Sequence, residues 1–135
     1  MYKILHIFRA IILIFNGLIH LMGTIVYMKL GSLEGFPYKT TILNGQIDLG
    51  ANGMSLFGGL WALAALGFML AALNLMLGWK VRQPLLVSVT LFSLVLTSLD
   101  WEIAFAGAII NLVILTVLMG NSLTRSLRPR QNQSI

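Results

Sequence analysis

Polar and apolar residues are distributed along this chain in long blocks. Four apolar blocks cover residues 4–28, 53–78, 81–99 and 103–119, and none of them contains an acidic residue. At 1.5 Å per helical residue each is long enough to cross a hydrocarbon core about 30 Å thick, the last with little to spare. Asp100 and Glu102 sit between the third and fourth blocks. Two carboxylates facing lipid there would each cost a few kcal/mol, so the pattern predicts a tight hairpin rather than one bent element. The expected fold is an all-α membrane protein, a four-helix transmembrane bundle occupying residues 1–120.

Between the first two blocks, residues 29–52 are too many for a structureless connection in a compact domain. There, 39–43 and 46–49 flank Asn44-Gly45, a pair that tolerates positive φ and favours a hairpin. A small β-hairpin is therefore expected in this loop. The segment 121–135 is polar, basic and proline-containing, and reads as a disordered tail at the membrane surface that can hold anionic lipid.

Composition supports lipid as the solvent. The 135 residues are 58% hydrophobic and 10% charged, with a mean hydropathy of +0.90, more apolar surface than so small a soluble domain can hide. No cysteine is present, which excludes disulfides, thiolate metal sites and a cysteine nucleophile. The net charge of +5 does not point to nucleic acid, because the basic residues lie at block boundaries and form no groove-sized patch.

Those boundaries define a direction. Lys3, Arg9, Lys80, Arg82, Arg125, Arg128 and Arg130 fall at the N-terminus, the second loop and the tail, and only Lys29 and Lys39 fall on the other side. The positive-inside rule then places both termini in the cytoplasm, with Glu34, Asp48, Asp100 and Glu102 outside. Tyr2 and Trp79 near the inner boundary, and Tyr27 and Trp101 near the outer one, fit two aromatic belts. The first block starts like a signal peptide, but it is too long and lacks a small-residue cleavage pattern, so it reads as an uncleaved span.

The first helix carries a polar stripe. At 100° per residue Tyr2, His6, Arg9, Asn16, His20, Thr24 and Tyr27 fall within about 80° of one another, while Ile11, Ile12, Ile14, Phe15 and Ile19 face elsewhere. Polar groups in a membrane avoid lipid, so the stripe is expected to look into the bundle, a cavity or a partner subunit. Arg9 can snorkel to the inner boundary, Asn16 lies near the midplane and His20 about 6 Å further out. Matching faces are Ser55, Gly58, Gly59, Ala62 and Ala65 on the second helix, Thr90, Ser93 and Thr97 on the third, and Ala104, Gly107, Ala108 and Asn111 on the fourth. Small residues let backbones approach, and hydroxyls bond across helices or back to their own carbonyls.

Asn16, His20, Thr24, Asp48, Asp100 and Glu102 are the candidate ligand-binding or path-lining residues. Asp100 suits the N-cap of the fourth helix and Glu102 its first turn. Alternatively they join Asp48 and His20 around an outward-facing mouth for a cation or protonated amine. His6 and His20 stand about 21 Å apart on one face, a spacing that suits one axial ligand for each of two haems if a parallel homodimer supplies the others. No ligand pair recurs at a spacing typical of a hard-metal site, and the residues assign no catalytic group and no definite cofactor.

Phe15-Asn-Gly-Leu-Ile-His-Leu, the loop sequence Gly-Phe-Pro-Tyr, and Gly53-Met-Ser-Leu-Phe-Gly-Gly-Leu-Trp-Ala-Leu together resemble the small four-span DoxX-like group of bacterial membrane proteins. The resemblance implies a four-helix bundle in the bacterial inner membrane and, for some members, association with quinone-linked oxidation complexes. Similar small chains also tend to carry the label of ABC transporter permease, but this one has no Walker motif and no second loop able to engage an ATPase. Phe-x-Gly-Leu-x-x-Leu occurs at 15–21 and again at 57–63, in segments expected to run in opposite directions.

The leading expectation is transport or small-molecule binding through the polar stripe. The alternatives are a membrane oxidoreductase component or anchor, and a structural or assembly subunit that docks on another membrane protein or on a second copy of the chain. A hydrolase is disfavoured, because no nucleophile, base and orienter occur together.

Overall fold

A computed structural model describes residues 2–78 and 82–126. Its elements are helix α1 Tyr2–Tyr27, strands β1 Thr41–Ile42 and β2 Ile47–Asp48, then helices α2 Gly50–Leu77, α3 Arg82–Leu99 and α4 Trp101–Ser126. Three helices, α1, α2 and α4, are long and apolar enough to cross a membrane. The apolar part of α3 described here is shorter, Gln83–Leu99, about 26 Å at 1.5 Å per residue. Trp79 and Lys80, assigned above to the inner boundary, lie outside the described residues.

The pairing of α1 with α2 is a close antiparallel seam built on small residues. At Gly17 a Cβ would lie 3.3 Å from the Ala65 carbonyl oxygen, at Gly23 it would run into the indole of Trp61, and at Gly58 it would meet the Tyr27 Cβ at 3.0 Å. Each glycine therefore admits a neighbouring side chain or backbone that any larger residue would push away. Of the expected small-residue face on α2, Gly58 and Ala65 serve this seam, whereas a Cβ added at Gly59 would meet nothing within 4 Å.

The α3–α4 connection is the expected hairpin. Asp100 alone separates the two helices, and the chain reverses there, because Asn111 reaches back to Ser93 and Gly107 packs against Thr97. Ala104, Gly107, Ala108 and Asn111 are all buried, as the small-residue face of α4 required. The helix itself runs further than expected. Residues 121–126, read above as the start of a disordered tail, continue α4, since neither glycine nor proline interrupts the chain between Gly120 and Pro129. Residues 127–135, with Arg128 and Arg130, lie outside the described residues.

At the other end, α1 stops in a Schellman turn. Lys29 adopts a left-handed φ of 56°, its N–H donates to Val26 O at 3.1 Å and the Leu30 N–H to Ile25 O at 2.8 Å. The loop beyond it then crosses the bundle end. The hairpin is present but shorter than expected, with Thr41 opposite Asp48 and Ile42 opposite Ile47. Leu43, Asn44 and Gly45 all have positive φ, so the connection is a four-residue loop and not the two-residue turn that Asn-Gly suggests. The Leu43 N–H donates to the carbonyl of Leu99 at 2.8 Å, and Ile42 is buried among Val26, Tyr27, Met54, Phe57 and Trp61. Thus the hairpin lies on the end of the bundle and holds the α3–α4 corner.

Substituting Gly23→Ala should cost about 1–3 kcal/mol by overpacking against Trp61, whereas Gly59→Ala should be neutral. Thermal unfolding of the two variants in detergent micelles checks the pair.

Candidate functional site

Three features organise the bundle: a buried ring of hydrogen bonds at mid-bundle, an ionic lock under the hairpin, and a half-open cleft at the opposite end. The ring begins on the polar stripe of α1. Asn16 Nδ2 donates to Asn111 Oδ1 at 3.1 Å, Asn111 Nδ2 donates to Ser93 Oγ at 2.6 Å, and Ser93 Oγ lies 2.8 Å from His20 Nε2. His20 Nδ1 lies 2.8 Å from the Asn16 carbonyl oxygen. A carbonyl only accepts, so Nδ1 carries the proton and Nε2 accepts from the serine hydroxyl. Hydrogen bonds therefore run in one sense from the Asn16 side chain through α4 and α3 and back to the Asn16 backbone. All four residues are buried, His20, Ser93 and Asn111 completely. The Oδ1 of Asn16 is buried without a partner.

The hydroxyls around the ring bond locally. Thr24 Oγ1 donates to His20 O at 3.0 Å, Thr97 Oγ1 to Ser93 O at 2.8 Å and Thr90 Oγ1 to Leu86 O at 2.7 Å. Only Ser93 among the α3 hydroxyls crosses to other helices. Aromatic rings connect this region to the hairpin end: His20 lies 5.0 Å from Trp61 and 5.4 Å from Phe68, and Tyr27 lies 5.9 Å from Trp61, 5.8 Å from Phe57 and 5.4 Å from Phe36.

Under the hairpin Asp100 is fully buried. It stands where an N-cap would, but its carboxylate is taken up elsewhere: Tyr27 OH donates to Oδ2, and Lys39 Nζ lies 2.6 Å from Oδ1. Lys39 also reaches the exposed Glu102 at 3.4 Å. Burial pushes the Asp100 carboxyl above the usual carboxylate range, with Lys39 and Tyr27 pulling it back. Asp48 stays apart, exposed on the hairpin, and accepts the Gly50 N–H at 2.9 Å, the main cause of its lowered pKa. The expected outer mouth is thus filled by the chain's own ammonium group, and the structure brings neither Asp48 nor His20 to Asp100. Tyr27, expected in an aromatic belt, is fully buried, whereas Trp101 is exposed as a belt residue would be. Both ring nitrogens of His20 are engaged in the ring, so axial ligation of a haem requires breaking it.

The third feature was not anticipated. A cleft of about 630 Å³ lies between α1 and α4, lined by apolar residues that include Ile12, Leu13, Leu75, Leu86, Val113 and Val117. His6, Arg9 and Gln83 are its polar lining residues. Its level along the helices is set by the ring, since Asn16 and Asn111 draw α1 and α4 together just beyond Leu13 and Val113. No sequence pattern announces it, because it is a gap between helices.

Ser93→Ala strips His20 Nε2 and Asn111 Nδ2 of partners and should cost about 1–2 kcal/mol in thermal unfolding. Lys39→Met leaves Asp100 buried without its cation and should cost about 3 kcal/mol at neutral pH. A carboxyl raised in the folded state favours folding below its unfolded pKa near 3.8, and that contribution is lost as pH rises through the folded value. The Lys39→Met penalty should therefore shrink as pH falls from 8 toward 4, and Asp100→Asn in the same background should flatten this dependence. Compared with protein-family models, curated proteins and solved structures, the chain finds no match.

Proposed function

We propose that this chain is an integral membrane protein of four spans, with both termini cytoplasmic, that holds a small amphiphilic molecule in the lateral cleft between α1 and α4. Insertion is supported by the three long apolar helices, and orientation by seven basic residues at one end against four acids at the other. The observation that carries binding is the cleft: at about 630 Å³ it falls within the usual size of small-molecule sites, with apolar walls and few polar groups. Passage through the bundle has less support, because Asn16, His20 and Thr24, the expected path, are buried and spend their hydrogen bonds inside the protein.

The DoxX-like resemblance extends this reading to a membrane oxidoreductase component, in which the same cleft would hold a lipophilic carrier. A bacterial plasma membrane is the location that goes with it.

The absence of cysteine makes single-cysteine labelling clean. Ser32→Cys should react with an impermeant maleimide on intact cells, and Ser134→Cys only after permeabilisation; the reverse pattern rejects the orientation. Native mass spectrometry of the purified protein should show one bound amphiphile that is lost or weakened in Val117→Trp, in which an indole narrows the cleft. A quinone mass would favour the oxidoreductase reading, and spectra without adduct for both proteins would reject binding.

A further inference from the structure

Charge bookkeeping at the cleft points to its occupant. The chain has four side-chain carboxylates, Glu34, Asp48, Asp100 and Glu102, all in the hairpin loop or at the α3–α4 corner. Arg9 lines the cleft near the other end of α1, and no carboxylate among the described residues pairs with it. His6, one turn away and half-buried in the same lining, has a buried Nδ1 without a hydrogen-bond partner. Arg9 and the half-buried His6 thus belong to a trough whose other lining residues, Gln83 apart, are hydrocarbon. A planar anion able to accept two parallel N–H bonds is the best partner for the guanidinium.

We infer that the cleft binds an anionic single-chain amphiphile of the alkyl carboxylate class, with its head group at Arg9 and His6 and its chain along Leu86, Leu13 and Val113. This rests on the binding reading above and adds the ligand's chemistry. One monovalent carboxylate matches one guanidinium in the bidentate manner. At roughly 30 Å³ per methylene-sized group, taking the share of a water molecule as a guide, the volume holds about twenty such groups, one alkyl chain and its head but not two chains. Along α1 the lining runs from Leu5 to Leu13, about 12 Å at 1.5 Å per residue, so a longer chain emerges between α1 and α4 into the acyl region.

The test uses the full chain in a steroid-based non-ionic detergent, which offers no competing alkyl tail, and titrates dodecanoate, dodecanol and dodecyltrimethylammonium by native mass spectrometry. Dodecanoate should bind at least tenfold more tightly than the other two. Arg9→Gln should abolish that preference while leaving dodecanol binding unchanged, Arg9→Lys should retain part of it, and Val117→Trp should weaken all three. Arg9 is exposed at the cleft, so its substitution leaves the core intact. Equal binding of dodecanoate and dodecanol, or a preference that survives in Arg9→Gln, overturns the inference but leaves a binding cleft in place. Displacement of dodecanoate by an equimolar two-chain phosphatidylglycerol overturns the single-chain assignment. If none of the three probes binds, the cleft-binding reading itself fails.

Discussion

An amide side chain buried among aliphatic ones needs another polar group to answer it, and here Asn16 is answered by Asn111. The contact matters because packing alone does little to place α4 against α1; the dense seams are α1 with α2 and α3 with α4. The asparagine pair fixes where the first and last helices touch. Ser93 and His20 then close the circuit, so that one set of hydrogen bonds holds three helices at a single level. In a buried apolar interior, every link left open costs as much as a lost partner. A screw displacement of α4 by one residue turns Asn111 by about 100° away from both neighbours, so the ring also fixes the rotation of that helix.

The lock at Asp100 works on the same principle with charges. A carboxylate without solvent exposure is tolerable only with a cation and a donor beside it, and Lys39 and Tyr27 supply them. Lys39 comes from the loop and Tyr27 from the last turn of α1, so the one acid ties the hairpin, the first helix and the α3–α4 corner together. The Leu43 to Leu99 backbone bond holds the same corner from the other side. The loop after α1 is long because it has to carry both contacts across the end of the bundle.

Much of the architecture was legible because membrane-type helices announce themselves by length and by missing charge. The four helices, the hairpin at Asp100 and the presence of a strand pair all follow from block lengths, two carboxylates and Asn44-Gly45. The polar stripe was legible from periodicity, and its C-terminal half, Asn16, His20, Thr24 and Tyr27, is buried. Partner choice was not. Nothing in the order of residues says that Ser93 and Asn111, grouped with packing faces, would meet His20 and Asn16, since that depends on how two hairpins rotate about their axes. Lys39 counted only as one of two cations on the acidic side; its other member, Lys29, lies over the Tyr38 ring instead. The cleft left no trace at all, because a gap is defined by what neighbouring helices fail to touch.

The closed ring has a consequence for how the bundle comes together. Asn16 emerges with the first helix and Asn111 with the last, ninety-five positions apart, so through most of synthesis the first amide has no native answer. The α1–α2 pair can close on its glycines without any polar help. Its stripe then stays exposed on the flank of a finished half until the α3–α4 hairpin arrives with Ser93 and Asn111. The asparagine link between the halves therefore forms only when the last helix is in place.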